Sequence, residues 1–170
     1  MKRIMLSAML VALTTTVHAQ QPIEYTNADF GFSLKYPPAY KQMDSHGEAL
    51  VLSSIAGEWT SKTSFDVDVY RGDSGLHTFC NNYEKNEWAQ SDVFKNFKTL
   101  SKQDTLFRGL PSLIYTCTAE VPQIGKSVEW RSTFVLNNGK IFKLTLSSYP
   151  DRFAATADSI SIIFNSFQFN

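Results

Sequence analysis

The chain has 170 residues, with 16 lysines and arginines matched by 16 acidic residues, 43% apolar side chains, 14% aromatics and only two cysteines. That is the make-up of one soluble domain with enough apolar side chain for a core, which excludes a disordered chain and a disulfide-dense mini-scaffold. Balanced charge without a long basic run also excludes a general nucleic-acid binder, which needs a basic surplus to displace counterions from phosphates.

In chain order, Lys2 and Arg3 form a positive start, residues 4–13 are apolar apart from Ser7, and Val17-His18-Ala19 puts small residues at the two positions a signal peptidase reads. Residues 1–19 are therefore expected to be a secretory signal peptide, and 20–170 a single mature domain that is periplasmic or secreted. The apolar stretch is half of the roughly 20 residues a membrane-spanning helix needs, so no transmembrane anchor is expected. No cysteine near the cleavage site offers itself for a lipid anchor. Cleavage removes Lys2 and Arg3, leaving 14 basic against 16 acidic residues.

A polar lead over 20–29 precedes Phe30-Gly31-Phe32-Ser33-Leu34-Lys35-Tyr36, whose alternation predicts a strand ended by Pro37-Pro38. A polar loop over 41–48 leads to a second strand at 49–55. Residues 64–71 alternate again, with Phe65, Val67 and Val69 on one face and Asp66, Asp68 and Tyr70 on the other. Asp73 and Ser74 can cap a helix over 75–90, and Ser91 a second over 92–102, with Val93, Phe94, Phe97 and Leu100 as its buried stripe. Period 2 then returns in strands at 104–108, 112–121, 127–136 and 141–149. Asn138-Gly139 between the last two is a hairpin signal, pairing Leu136 with Ile141 on one face and Val135 with Phe142 on the other. A closing helix over 153–164 carries Phe153, Ala157, Ile160 and Phe164 along one stripe. Both hairpin faces are apolar, so helices are expected on both sides of the sheet, in three layers.

Cys80 falls on the first helix and Cys117 in the strand at 112–121. In an exported chain an even pair is more often bridged than free, so a Cys80–Cys117 disulfide is expected. Closing that loop would stabilise the fold by roughly 4 kcal/mol. Two buried thiols that never meet are the alternative.

The opening Asp29-Phe30-Gly31-Phe32-Ser33-Leu34-Lys35-Tyr36-Pro37 resembles the first strand of the PsbP/Mog1-like proteins, including bacterial exported PsbP-like and DcrB-like members. The order of elements, with central helices, a run of antiparallel strands and a C-terminal helix ending in Ser166-Phe167, is similar to that family over residues 24–169. Where the family has a tryptophan shortly after Tyr-Pro, this chain has Tyr40. The resemblance implies an α+β fold, a three-layer α/β/α sandwich with a mainly antiparallel central sheet. It also implies use as a non-catalytic accessory or protein-binding module; members assist photosystem assembly, bind a small GTPase or reside in the bacterial envelope.

Motifs for chemistry are sparse. Gly125-Lys126-Ser127 ends like a phosphate loop, but Glu120 stands where the first glycine belongs, and the segment falls in a turn between strands. No Gly-x-Ser-x-Gly nucleophile elbow occurs. A convergent hydrolase would have to recruit His46 or His77, and His77 reads as a solvated surface group with no carboxylate to orient it. Asp44, His46 and Glu48 share one loop but offer a single imidazole to a metal. Asp66 and Asp68 could hold a cation or act as an acid/base pair, although alternation alone accounts for them. The expected function is thus a non-enzymatic, exported binding or assembly module without a cofactor, partnered by another protein. A small hydrolase with a non-standard site and an apolar-ligand carrier are the competing readings.

Overall fold

A computed structural model describes residues 21–45, 47–54 and 63–170; the expected signal peptide and His46 lie outside the described residues. In chain order the elements are β1 (Ile23–Asn27), β2 (Phe32–Tyr36), β3 (Tyr40–Gln42), β4 (Leu50–Ser54), β5 (Ser64–Arg71) and α1 (Leu76–Tyr83), which runs into a π-helical turn, Glu84–Trp88. There follow β6 (Lys95–Phe107), β7 (Leu110–Val121), β8 (Lys126–Asn137), β9 (Lys140–Ser148), α2 (Ala157–Ser166) and β10 (Gln168–Phe169). A seven-stranded sheet runs in the order β3-β4-β5-β9-β8-β7-β6 and a three-stranded one in the order β1-β2-β10. Every pairing is antiparallel.

The β8–β9 hairpin forms in the expected register, with Leu136 opposite Ile141 and Val135 opposite Phe142. Asn138 (φ 48°) and Gly139 (φ 71°) both take the left-handed conformation that a two-residue turn demands. Strand parity then separates two cores. On one face Trp130, Phe134 and Ile141 join Leu113, Tyr115 and Cys117 beneath α1, which contributes Leu76 and Cys80. On the other, Val135, Phe142 and Leu144 join Phe65, Val67, Leu50 and Leu52 beneath Ile163 of α2 and the small sheet's Phe32 and Leu34. The second cluster thus draws on three short strands as well as on a helix.

Gly72 directs the chain from β5 onto the first face. Its N–H donates to the Gly139 carbonyl at 2.8 Å. A side chain there would meet Leu136 Cδ1 at 2.8 Å and the Gly139 carbonyl oxygen at 3.0 Å, so a glycine suits this close backbone approach. Beyond α1, the Glu84 carboxylate accepts from Thr99 and Lys102 of β6, tying the helix end to the sheet.

Three expectations require correction. The helix expected over 92–102 is instead the first half of β6, continuous with the strand expected at 104–108. Two register shifts against β7, between Lys95 and Lys98 and between Thr99 and Ser101, break the alternation of side chains. The spacing of Phe94, Phe97 and Leu100 then mimics a helical stripe. The polar lead contains β1, which pairs with all of β2. Finally, Cys80 and Cys117 are both free buried thiols, not a disulfide. Cys117 Sγ instead donates to Thr99 Oγ1 at 3.9 Å, and burial pushes each thiol up to about 12. Neither thiol should react with iodoacetamide at pH 8 in the folded protein, and both should react after unfolding. A two-dalton mass gain on reduction would instead reveal a bridge.

Candidate functional site

Asp66 and Asp68 lie on the α1 face of β5, opposite Thr145 and Lys143 of β9. Lys143 Nζ is 2.6 Å from Asp68 Oδ2, with both side chains close to fully buried. The same ammonium donates to the Tyr83 hydroxyl at 2.9 Å and lies over its ring, while the Tyr70 hydroxyl donates to that of Tyr83 at 3.3 Å. Burial lifts Asp66 to about 7, opposed by the positive charge of Lys143 and reinforced by Asp68 and Glu48. Burial pulls Lys143 down, but the facing acidic groups, Asp66 first, overcome it and hold the ammonium above its ordinary value. The pair expected to be a solvated strand face is therefore a largely enclosed charge cluster whose cation comes from a distant segment of the chain.

This has a pH signature. Because Asp66 titrates near 7 in the fold and near the ordinary 3.8 when unfolded, the native state holds the extra proton between those values. Stability contributed by the group thus falls as pH rises from about 4 to 7. Asp66→Asn should flatten that part of the stability–pH curve and make the protein relatively more stable above pH 7, as read by urea unfolding across the range.

The histidines do not converge on the cluster. His77 is solvent-exposed as expected, but it does have a carboxylate partner: Nε2 is 3.1 Å from Oδ1 of the exposed Asp104. Reading 92–102 as a helix concealed this pair, since a continuous β6 carries Asp104 toward the start of α1. Asp44 and Glu48 belong to the loop before β4, and among the described residues no group of three His, Cys, Asp or Glu side chains is placed to hold a metal ion. Gly125-Lys126-Ser127 lies in the β7–β8 connection as expected, with Gly125 left-handed at φ 61°.

A cavity of about 540 Å³ opens between α2 and the second face of the large sheet. Its apolar walls are Phe107, Ile114, Leu146, Phe153, Ile160 and Phe164, with the exposed Leu106 at its rim, and Thr105, Thr133, Ser161 and Arg131 supply its polar groups. Arg108 in the β6–β7 turn donates to the carbonyls of Phe164 and Asn165, fixing the end of α2 against the sheet. A second cavity of about 540 Å³ lies near the β7–β8 connection, lined among others by Val93, Val121, Ile124 and Tyr149. Sequence reasoning missed both. The first needs Arg131, β6 and α2 in one place, and its only advance sign is an arginine on the alternating run of β8.

No protein-family profile and no curated protein sequence matches this chain. Solved structures do. The cyanobacterial PsbP protein of Synechocystis superimposes with a TM-score of 0.65 at 15% identity, covering 91% of this chain and 96% of its own. The chain has a PsbP/Mog1-like fold. LpqN of Mycobacterium tuberculosis, involved in cell envelope biogenesis, matches with a TM-score of 0.60 at 10% identity over 88% of this chain and 91% of its own. A Pseudomonas aeruginosa protein of unknown function matches at 0.56 and 15% identity, over 84% and 92%. At such identities the likeness is one of fold, here a PsbP-like, mostly antiparallel sheet with two helices. No helix among the described residues is long and apolar enough to cross a membrane.

Proposed function

We propose that this PsbP-like chain is an exported, non-enzymatic accessory module that acts by binding another protein. The observation that carries the reading is the engagement of its best-placed acid/base residues in holding the fold: Asp68 is locked to Lys143, which also binds Tyr83. A carboxylate pair committed in this way is poorly placed to meet a substrate. Kinship of fold with LpqN and with a cyanobacterial PsbP adds support, as does the leader-like sequence of residues 1–19. In this reading the finer architecture is a three-layer sandwich, with α1 on one side of the large sheet and α2 with the small sheet on the other.

The contact surface is the outer edge of β6. It ends the seven-stranded sheet and leaves Leu100 and Leu106 exposed, 55% and 69% respectively. Lys95 and Lys98 stand along the same strand, a pattern that discourages self-pairing while leaving amines for a partner's carboxylates; Lys102, also on β6, is already engaged by Glu84. In-cell crosslinking with an amine-reactive reagent, followed by mass spectrometry, should recover one dominant protein joined through these lysines. Crosslinks confined to other surfaces would reject the β6 assignment. Turnover of an ester, peptide or phosphate substrate that disappears in His46→Ala or His77→Ala would overturn the non-enzymatic reading.

A further inference from the structure

We propose that the cavity beneath α2 binds a single-chain amphiphile with a carboxylate head, its tail among the aromatic and aliphatic walls and its head on Arg131. Three observations converge on that chemistry. The cavity, at about 540 Å³, is of the size that encloses most of a small organic ligand. Its walls come from four strands, the segment before α2 and α2 itself, so a tail would be gripped between sheet and helix instead of lying on an open face. Among the described residues, Arg131 is the only charged one lining it, and its guanidinium has no hydrogen-bond or ion-pair partner.

An unpaired arginine beside an apolar cavity selects for charge as well as for length. The planar guanidinium can donate two parallel hydrogen bonds to a carboxylate, a geometry that neither an alcohol nor an ammonium head can reproduce. The hydroxyls of Thr105 and Thr133 lie on the same face of the sheet and can donate to a carboxylate oxygen of the head group.

This inference does not depend on the protein-binding reading, since β6 crosslinking can fail while the cavity binds its ligand, and the reverse. The test is calorimetric titration of the purified protein with laurate, with dodecanol and with dodecylammonium, each below its aggregation threshold. Laurate is expected to bind saturably at one site and more tightly than either of the others. Arg131→Gln, at an exposed residue with no described partner, should keep the unfolding temperature while weakening laurate about tenfold or more and leaving dodecanol unchanged. Arg131→Lys should recover only part of the loss, because a point charge keeps the attraction without the paired donors. Absence of laurate binding, equal affinity for laurate and dodecanol, or an Arg131→Gln variant that binds laurate like the parent would each overturn the proposal.

Discussion

Replacing Phe134 with alanine is expected to destabilise the protein by roughly 3–5 kcal/mol, seen as a fall of about 10 °C in Tm. Phe134 is completely buried on β8 and touches four aromatic rings: Phe79 and Tyr83 of α1, Trp88 of the π-helical turn and Tyr115 of β7. Their centroids lie between 5.7 and 6.2 Å from its own, three of them edge-on, the arrangement that adds quadrupolar attraction to simple burial. Because these rings come from both the sheet and the helical segment above it, they cannot collapse together to fill the space. The cavity contribution therefore adds to the lost transfer free energy. Leu106→Ala, at the exposed β6 edge, provides the contrast and should change stability by no more than about 0.5 kcal/mol. Similar losses from both variants in thermal melts would mean that Phe134 does not anchor α1.

Lys143→Met should cost a comparable amount, about 3–5 kcal/mol near neutral pH, for the opposite physical reason. The substitution nearly preserves side-chain volume but strips from Asp68 its ammonium partner and from Asp66 its principal stabilising charge. Two carboxylates are then left facing each other and the hydroxyl of Tyr83 in a poorly solvated space. Protonation relieves that conflict, so the difference between variant and parent should shrink as pH falls toward 4. Adding Asp68→Leu to Lys143→Met should recover much of the loss, because an apolar pair of matching size carries no desolvation cost. A variant whose deficit is constant from pH 4 to 8 would show that the ammonium contributes packing alone.

The fold was legible in the sequence wherever a rule with period 2 acts without interruption. β5 has the bounds its alternation announces, and the last hairpin has its expected turn and register. Both depend on local pattern and on residues that tolerate positive φ. β6 was illegible because its bulges move successive side chains between faces, and the Arg108-Gly109 turn that follows places an arginine at φ 55°, which is uncommon for that residue. β1 and β10 carry little signal of their own and exist because β2 supplies partners on both edges. Of the functional features, Asp66 and Asp68 were visible as neighbours. Lys143 could be joined to them only once β9 was known to lie beside β5, and Arg131 became notable only when α2 came to rest across the sheet.

The small sheet also joins segments that lie far apart in the chain. β2 holds β1 on one edge and β10 on the other, and Phe32, early in the chain, stacks on Phe167 near its end at 5.3 Å between centroids. Asn170 closes the same seam, its N–H donating to the Gly31 carbonyl at 2.9 Å. Part of the cover of Phe32 therefore comes from a segment far along the chain, in addition to Tyr25 and Phe142. Contacts of such sequence separation raise the contact order of the fold and slow its formation. Before the seam closes, β2 is an aromatic strand with an unpaired edge, the kind of surface that makes a partly folded chain prone to aggregate.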